Sequence, residues 1–253
     1  MSVEKTGFTR SDLQGKRVAI LTAGPSGDVK GGAERFYAGL HEGFKALGFQ
    51  ADLIAIQADE PNFDTILSNY RKCAELDLSA YDLVVSTKVP TYAIKHPNHV
   101  LYLVHTVRVF DDMFETVFNS LHDVHYAQRA KLHSIDFEAI SGAKARFAIG
   151  REVASRLYRW RGLDCEVLHP PLGFNSFRSG EAGNYFFLPG RLHPWKRVCL
   201  IIKAIKQSSL PMRLLLAGVG EAKLDLKALA AGDDRIELDR KSTRLNSSHV
   251  SQS

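Results

Sequence analysis

No apolar run in this sequence is long enough to cross a membrane. The longest, residues 198–202 and 214–217, fall far below the roughly 20 apolar residues that a spanning helix needs. The opening MSVEKTG lacks the basic-then-apolar layout of a secretory signal. Cysteine is scarce: Cys73, Cys165 and Cys199 are odd in number and far apart, which argues against a disulfide framework and a cysteine-based zinc site. These absences make a cytoplasmic chain the expectation. A strong charge of one sign is missing too. The 253 residues hold 33 Lys and Arg against 28 Asp and Glu, for a formal net charge of +5.

Part of that charge belongs to the end of the chain. Residues 239–253 hold only Leu245 and Val250 as aliphatics and no aromatic, while Ser and Thr recur throughout. Such a stretch cannot bury enough apolar surface to offset the entropy of ordering it, so it is expected to be a disordered, non-native tail. It resembles translated vector sequence. Setting aside Arg240, Lys241 and Arg244 against Asp239 lowers the net charge by two, to +3. A body so mildly basic makes no case for a nucleic-acid partner. Hydrophobic residues at 45% and charged residues at 24% are ordinary globular values, and the length suits one large domain or two small ones.

Along the chain, short apolar runs alternate with helical spacing. Residues 17–22 (RVAILT) read as a buried strand opening into the turn-rich 23–28. From Gly32, residues Phe36, Leu40, Phe44 and Leu47 recur every three or four positions up to Gly48, which predicts a helix with a glycine stop. Strands are expected at 51–56, 81–86 and 100–104. A helix over about 127–140, a strand at 145–149, a helix at 152–160 and a strand at 165–168 follow. This alternation predicts a parallel, doubly wound α/β sheet.

Residues 172–184 are rich in Gly and Ser and lack periodicity, which marks a linker. The grammar then restarts, with strands at 185–190, 212–217 and 235–238 and helices at 198–206 and 221–230. The expected domains are therefore 1–175 and 184–238, joined by a linker at 176–183. Three strands and two helices leave exposed sheet edges and little core, so the second domain is expected to be incomplete.

The residues that can carry chemistry lie mostly in that second half. Gly190-Arg191 precedes Lys196-Arg197, and Gly218-Val219-Gly220-Glu221 follows the next strand. In both places a strand end opens into a glycine-containing loop and then a helix. Backbone N–H groups at a helix start favour an anion, and Arg191 and Lys196 add two cations, so phosphate oxygens are the natural ligand. Glycines that merely make turns are the plainer alternative for Gly218 and Gly220. Two such loops at successive strand ends favour a ligand, because open α/β sheets bind at those ends. His122 and His125 have the spacing of a metal pair, but a solvated helix face is the better account. Arg146, Arg151, Arg156, Arg159 and Arg161, with Trp160, are the best candidate for a basic surface patch, facing anionic lipid or simply solvated.

Gly190-Arg191-x4-Lys196-Arg197, with LLLAGVGE over 214–221, resembles the donor-binding half of a GT-B glycosyltransferase of family 4, a group of retaining enzymes. Gly31-Gly32-Ala-Glu34-Arg35 is similar to that family's glycine-rich loop. Tyr102-Leu-Val-His105-Thr-Val-Arg108 is similar to its histidine-bearing strand end, and 147–172, ending HPPL, to its inter-domain approach. The resemblance spans about residues 15–238. It implies a GT-B-like fold of two Rossmann-like domains, the first for the acceptor and the second for a nucleotide sugar. The implied reaction moves a hexose from a nucleotide diphosphate sugar to an acceptor hydroxyl with retention, in glycan or glycoconjugate biosynthesis. A glycan or lipid-linked acceptor and a peripheral contact with the inner face of the membrane are the implied partners.

The resemblance also implies roles for single residues. Arg191 and Lys196 would be catalytic, holding the diphosphate and stabilising the charge that grows on the leaving group. One such preorganised charge is worth on the order of 3 kcal/mol of transition-state stabilisation. Two of them let such enzymes work with no metal or other cofactor. Gly31, Gly32, Gly218, Gly220 and Glu221 would complete the phosphate-binding loops. His105 would stand near the reacting carbon on the acceptor side, with Arg108; read without the resemblance, it is a histidine capping a strand end. The family's two glutamates seven residues apart are not matched by Glu221 and Glu237, so donor affinity and turnover are expected to be impaired. A catalytically silent binding module keeping the acceptor-domain surface is the alternative. A sugar-nucleotide epimerase would need G-x-G-x-x-G after the first strand, and Gly24-Pro-Ser-Gly27 and Gly31-Gly32 do not supply it.

Overall fold

The computed structural model describes residues 13–24, 32–118, 120, 122–171 and 180–239. Of the expected turn at 23–28, residues 23 and 24 are the end of the first strand; residues 25–28, Gly31, residues 172–179 of the linker region and the tail beyond Asp239 lie outside the described residues. The chain divides into two compact units, Met1–Gly173 and Phe174–Ser253.

In chain order the first unit holds β1 (Arg17–Gly24), α1 (Gly32–Ala46), β2 (Gln50–Gln57), α2 (Phe63–Ala74) and β3 (Leu83–Lys88). β4 (His99–His105), α3 (Phe114–Val117), α4 (Asp123–Ser141), β5 (Ala145–Ala148), α5 (Arg151–Arg161) and β6 (Glu166–Val167) complete it. The six strands are all parallel, in the order β2-β1-β3-β4-β5-β6. Val18, Ala19, Ile20 and Leu21 of β1 are wholly buried, as a continuous apolar run must be when helices cover both faces. After β1 the chain steps to one side to lay down β2, and after β2 it crosses back to β3 and keeps going. Right-handed crossovers then put α1 on one face and α2, α4 and α5 on the other. The packing follows that division. Phe36 and Tyr37 of α1 lie against Val18, Val85 and Tyr102, whereas Tyr70, Leu132 and Leu157 lie against Leu101 and Leu103.

Two helices and the arginines differ from the sequence reading, and the third strand runs to Lys88 where the sequence reading ends it at Ser86. Helix α2 has no counterpart among the expected elements. It starts where the Asn62 side chain accepts the Thr65 N–H at 2.9 Å, and it buries Ile66, Leu67, Tyr70 and Cys73 at helical spacing. Helix α4 begins at Asp123 rather than near 127, because the His122 N–H donates to His125 Nδ1 at 3.2 Å and the His125 ring stacks on Phe118. The two histidines thus shape a helix start, and no metal-holding cluster exists among the described residues. The arginines do not form one surface patch. Arg161 is buried, Arg156 is held between Asp112 and Glu152, and Arg146 donates to the Asp164 carbonyl at 3.0 Å. Among the described residues no helix is long and apolar enough to cross a membrane.

The second unit is a three-stranded parallel sheet, β7 (Tyr185–Pro189), β8 (Arg213–Ala217) and β9 (Ile236–Asp239), in that order. α6 (Val198–Gln207) and α7 (Lys223–Ala230) connect the strands. Both helices pack on the face carrying Leu214, Leu216 and Ile236, through Ile202, Ile205, Leu226 and Ala230.

Candidate functional site

In the first unit the strand order reverses between β1 and β3, and ligands of open α/β sheets bind beyond the strand ends at such a reversal. The end of β3 is held firmly there. The Thr87 hydroxyl donates to the Leu21 carbonyl at 2.7 Å. Thr91 Oγ1 accepts the N–H groups of Thr87 and Lys88 at 3.0 and 3.2 Å and donates to the Lys88 carbonyl at 2.6 Å. Lys88 pairs in register with His105, the last residue of β4, and the Val89 N–H donates to the His105 carbonyl at 3.3 Å. Gly32 is the first residue of α1, and Gly31 lies outside the described residues.

His105 is fixed in tautomer and charge. Its Nδ1 is 3.0 Å from the Thr106 carbonyl, which can only accept, so Nδ1 carries the proton. Burial pushes the imidazole below its ordinary pKa, and the charges of Lys88, Arg108 and Arg156 add to the effect, outweighing the opposing pull of the Thr106 carbonyl. The neutral ring therefore keeps a lone pair on Nε2. Lys88 is held below the ordinary lysine range by burial, which Glu60 and Glu34 oppose. Lys88 was not among the expected site residues because the third strand was expected to end at Ser86. Following the strand two residues further reaches it. Arg108, on the 3-10 turn Arg108–Phe110, forms a bidentate pair with Asp112 at 2.6 and 3.1 Å.

The segment after β4 is anchored from beneath by buried charges. The Thr106 hydroxyl donates to Asp111, which also accepts from His133 Nε2 at 3.0 Å and Arg161 Nη1 at 2.7 Å. Arg161 grips Asp136 as well, with Nε at 2.9 Å, and Asp136 Oδ1 accepts from the Tyr70 and Tyr92 hydroxyls at 2.5 and 2.8 Å. Burial raises the Asp111 carboxyl, but His133, Arg161 and Thr106 together bring it below the usual carboxylate range. The wholly buried Asp136 stays raised, because burial outweighs Arg161 and the two tyrosines.

In the second unit the loops after β7 and β8 interlock. The Gly190 N–H donates to the Ala217 carbonyl and the Leu192 N–H to the Val219 carbonyl, both at 2.8 Å; the Ala222 N–H returns to the Leu192 carbonyl at 3.0 Å. The parallel ladder thus continues past the strand ends as two loops in contact. A Cβ at Gly218 would overlap the Gly190 carbonyl, and one at Gly220 would overlap the Leu192 backbone. These glycines are demanded by loop-on-loop packing. Glu221 joins the same link: His193 Nδ1 accepts the Trp195 N–H at 3.2 Å, which leaves Nε2–H facing Glu221 at 3.3 Å. Arg191 and Lys196 are both exposed on the loop after β7, Lys196 closing the 3-10 turn Pro194–Lys196. So one locked loop pair carries Arg191, Lys196, Gly218, Gly220 and Glu221, while His105 and Arg108 stand together in the first unit.

No protein-family model matches the sequence, and no curated protein matches it. Among solved structures, the chain is similar to an alpha-glucosyltransferase in complex with UDP and a 13-mer DNA containing an HMU base. The TM-score is 0.50 at 14% identity, over 85% of this chain and 60% of that one. It is also similar to the Anabaena protein HepE in complex with UDP and glucose, with a TM-score of 0.49 at 14% identity, over 88% of this chain and 68% of that one. The likeness to the alpha-glucosyltransferase bears out the GT-B-like α/β fold.

Proposed function

We propose that the chain is a glycosyltransferase of the family 4 type, moving a hexose from a nucleotide diphosphate sugar to the hydroxyl of a glycan or glycoconjugate with retention. The observation that carries the reading is the locked loop pair after β7 and β8, which bears Arg191 and Lys196, both exposed, beyond the C-terminal ends of parallel strands. The GT-B-like fold supports it, since a similar chain was solved with UDP. Arg191 and Lys196 would pair with the diphosphate and supply countercharge as the sugar–oxygen bond breaks, without a bound metal. A platform that cannot shift costs little reorganisation when that charge develops. Gly218 and Gly220 would serve by letting the two loops close on each other, and Gly32, the first residue of α1, would let a substrate approach the backbone there. His105 would act on the acceptor side, its neutral Nε2 accepting a hydrogen bond from a substrate hydroxyl. Arg108, braced by Asp112, would orient the acceptor.

Calorimetric titration of the whole chain with UDP, GDP and ADP tests the donor half of this reading. One of the three should bind, and Arg191→Ala or Lys196→Ala should weaken it by about tenfold or more without lowering the melting temperature, as loss of a charge-assisted contact requires. Unchanged affinity in both variants, or no nucleotide bound at all, overturns it.

A further inference from the structure

A concavity lies in the first unit, well away from the strand ends just described. It is a pocket of about 520 Å³ between α2, α4 and the segment leading into β4. His99 lines it and opens β4, whereas His105 closes the same strand. Six steps of roughly 3.3 Å put the two about 20 Å apart. The volume is within the range that encloses a small organic ligand.

Its wall has two characters. Leu67, Ile94, Ile135 and Ala139 give an apolar lining. Arg71 of α2, Lys95 of the segment before β4 and Lys131 of α4 bring three cations from three separate elements. None of the three has an ion-pair partner among the described residues. Glu138 is the single carboxylate of the lining, so the wall keeps an excess of two positive charges.

The two histidines do not alter that balance. His96 accepts the Asn98 N–H on Nδ1 at 3.1 Å and donates from Nε2 to the Tyr81 carbonyl at 3.0 Å, which spends both nitrogens on the chain itself. His99 is 3% exposed, with Nε2 bound to Ser86 Oγ at 2.7 Å, and burial lowers it to about 4, so it is neutral near pH 7. Unpaired cations converging on an apolar concavity raise the local potential, because low-dielectric walls focus the field.

We infer that this pocket binds an amphiphilic organic anion, its charged head held by Arg71, Lys95 and Lys131 and its apolar body laid on Leu67, Ile94, Ile135 and Ala139. The inference is independent of the transfer reaction, since no residue of the pocket belongs to the loops assigned to donor or acceptor. Both features are required together. Cations alone would favour inorganic anions, and an apolar wall alone would take a neutral body equally well.

Titration of the whole chain at low ionic strength with hexyl phosphate, inorganic phosphate and hexanol separates these cases. With Arg191→Ala and Lys196→Ala introduced throughout to remove the proposed donor grip, hexyl phosphate should bind at one site, and the other two at least about tenfold more weakly. Arg71→Glu combined with Lys131→Glu should abolish measurable binding, with circular dichroism reporting the fold. Lys95→Glu, at an exposed position, should weaken binding by about tenfold and serves if the double variant unfolds. Binding of hexyl phosphate that survives charge reversal, or that inorganic phosphate or hexanol equals, overturns the proposal. Vesicles containing phosphatidic acid then distinguish the sources of the anion. Co-sedimentation of the unaltered chain that the Lys95→Glu variant loses identifies a lipid headgroup, and hexyl phosphate binding without co-sedimentation identifies a soluble anion.

Discussion

Gly218 faces the carbonyl of Gly190 across two loops in contact. The parallel ladder between β7 and β8 extends into their loops, and continued backbone bonding brings the 190–192 segment against residues 218–220 with no room for a methyl group. Gly218→Ala should therefore cost at least about 3 kcal/mol in denaturant unfolding of the second unit, the upper part of the range for overpacking a tight site. Gly43→Ala is the contrasting case. Gly43 is an exposed position inside α1 where an added Cβ meets nothing, so alanine should stabilise by about 0.5–1 kcal/mol through its lower backbone entropy. A neutral Gly218→Ala would mean that the two loops do not pack as described. The sequence alone marks Gly218 and Gly220 as special but leaves turn and ligand roles open, because the neighbour that demands them is a carbonyl about 28 positions away. Arg191 and Lys196 are legible as cations just past a strand end, and the structure shows both exposed on the loop after β7.

Helices α2, α4 and α5 meet through the Asp111–Arg161–Asp136 group, and the segment after β4 hangs from it through Thr106 and Asp111. Two carboxylates sharing one buried guanidinium make that cation hard to replace. Arg161→Met should cost about 3–5 kcal/mol, the usual penalty for stranding a buried charge, and lower the melting temperature by about 10 °C for a unit of this size. Tyr92→Phe removes one neutral donor among several and should cost about 1 kcal/mol. Thermal melts of the two variants check the order; equal costs would mean that neither Asp111 nor Asp136 depends on the cation. The sequence carries no sign of this group, because the partners stand 25 and 50 positions from Arg161 and no periodicity links them. The strands were readable, since buried parallel strands are written as plain apolar runs. Helix α2 carried a signal in the Asn62 cap and in Ile66, Leu67, Tyr70 and Cys73, but polar residues between them thin the stripe.

Across the whole molecule, the two units bury their strands to different depths. In the first, β1 lies inside a six-stranded sheet with helices on both faces, and its residues from Val18 to Leu21 are wholly inaccessible. In the second, α6 and α7 cover only the face of Leu214 and Leu216, and Leu215 between them is half-buried. Tyr185 and Phe186 on the edge strand β7 are 39% and 49% exposed. Opening free energy scales with the apolar area that a cooperative unit removes from water, and a sheet of three strands removes less of it per residue. Amide hydrogen exchange followed by mass spectrometry should therefore show β1 and β4 exchanging slowest and β8 at least about tenfold faster, although β8 is the central strand of its own sheet. Equal protection of β8 and β1 would mean that the second unit opens only when the first does. If donor nucleotide binds the loops after β7 and β8, adding it should slow exchange in β8 and leave β1 unchanged, because a ligand stabilises the unit whose folded state it selects.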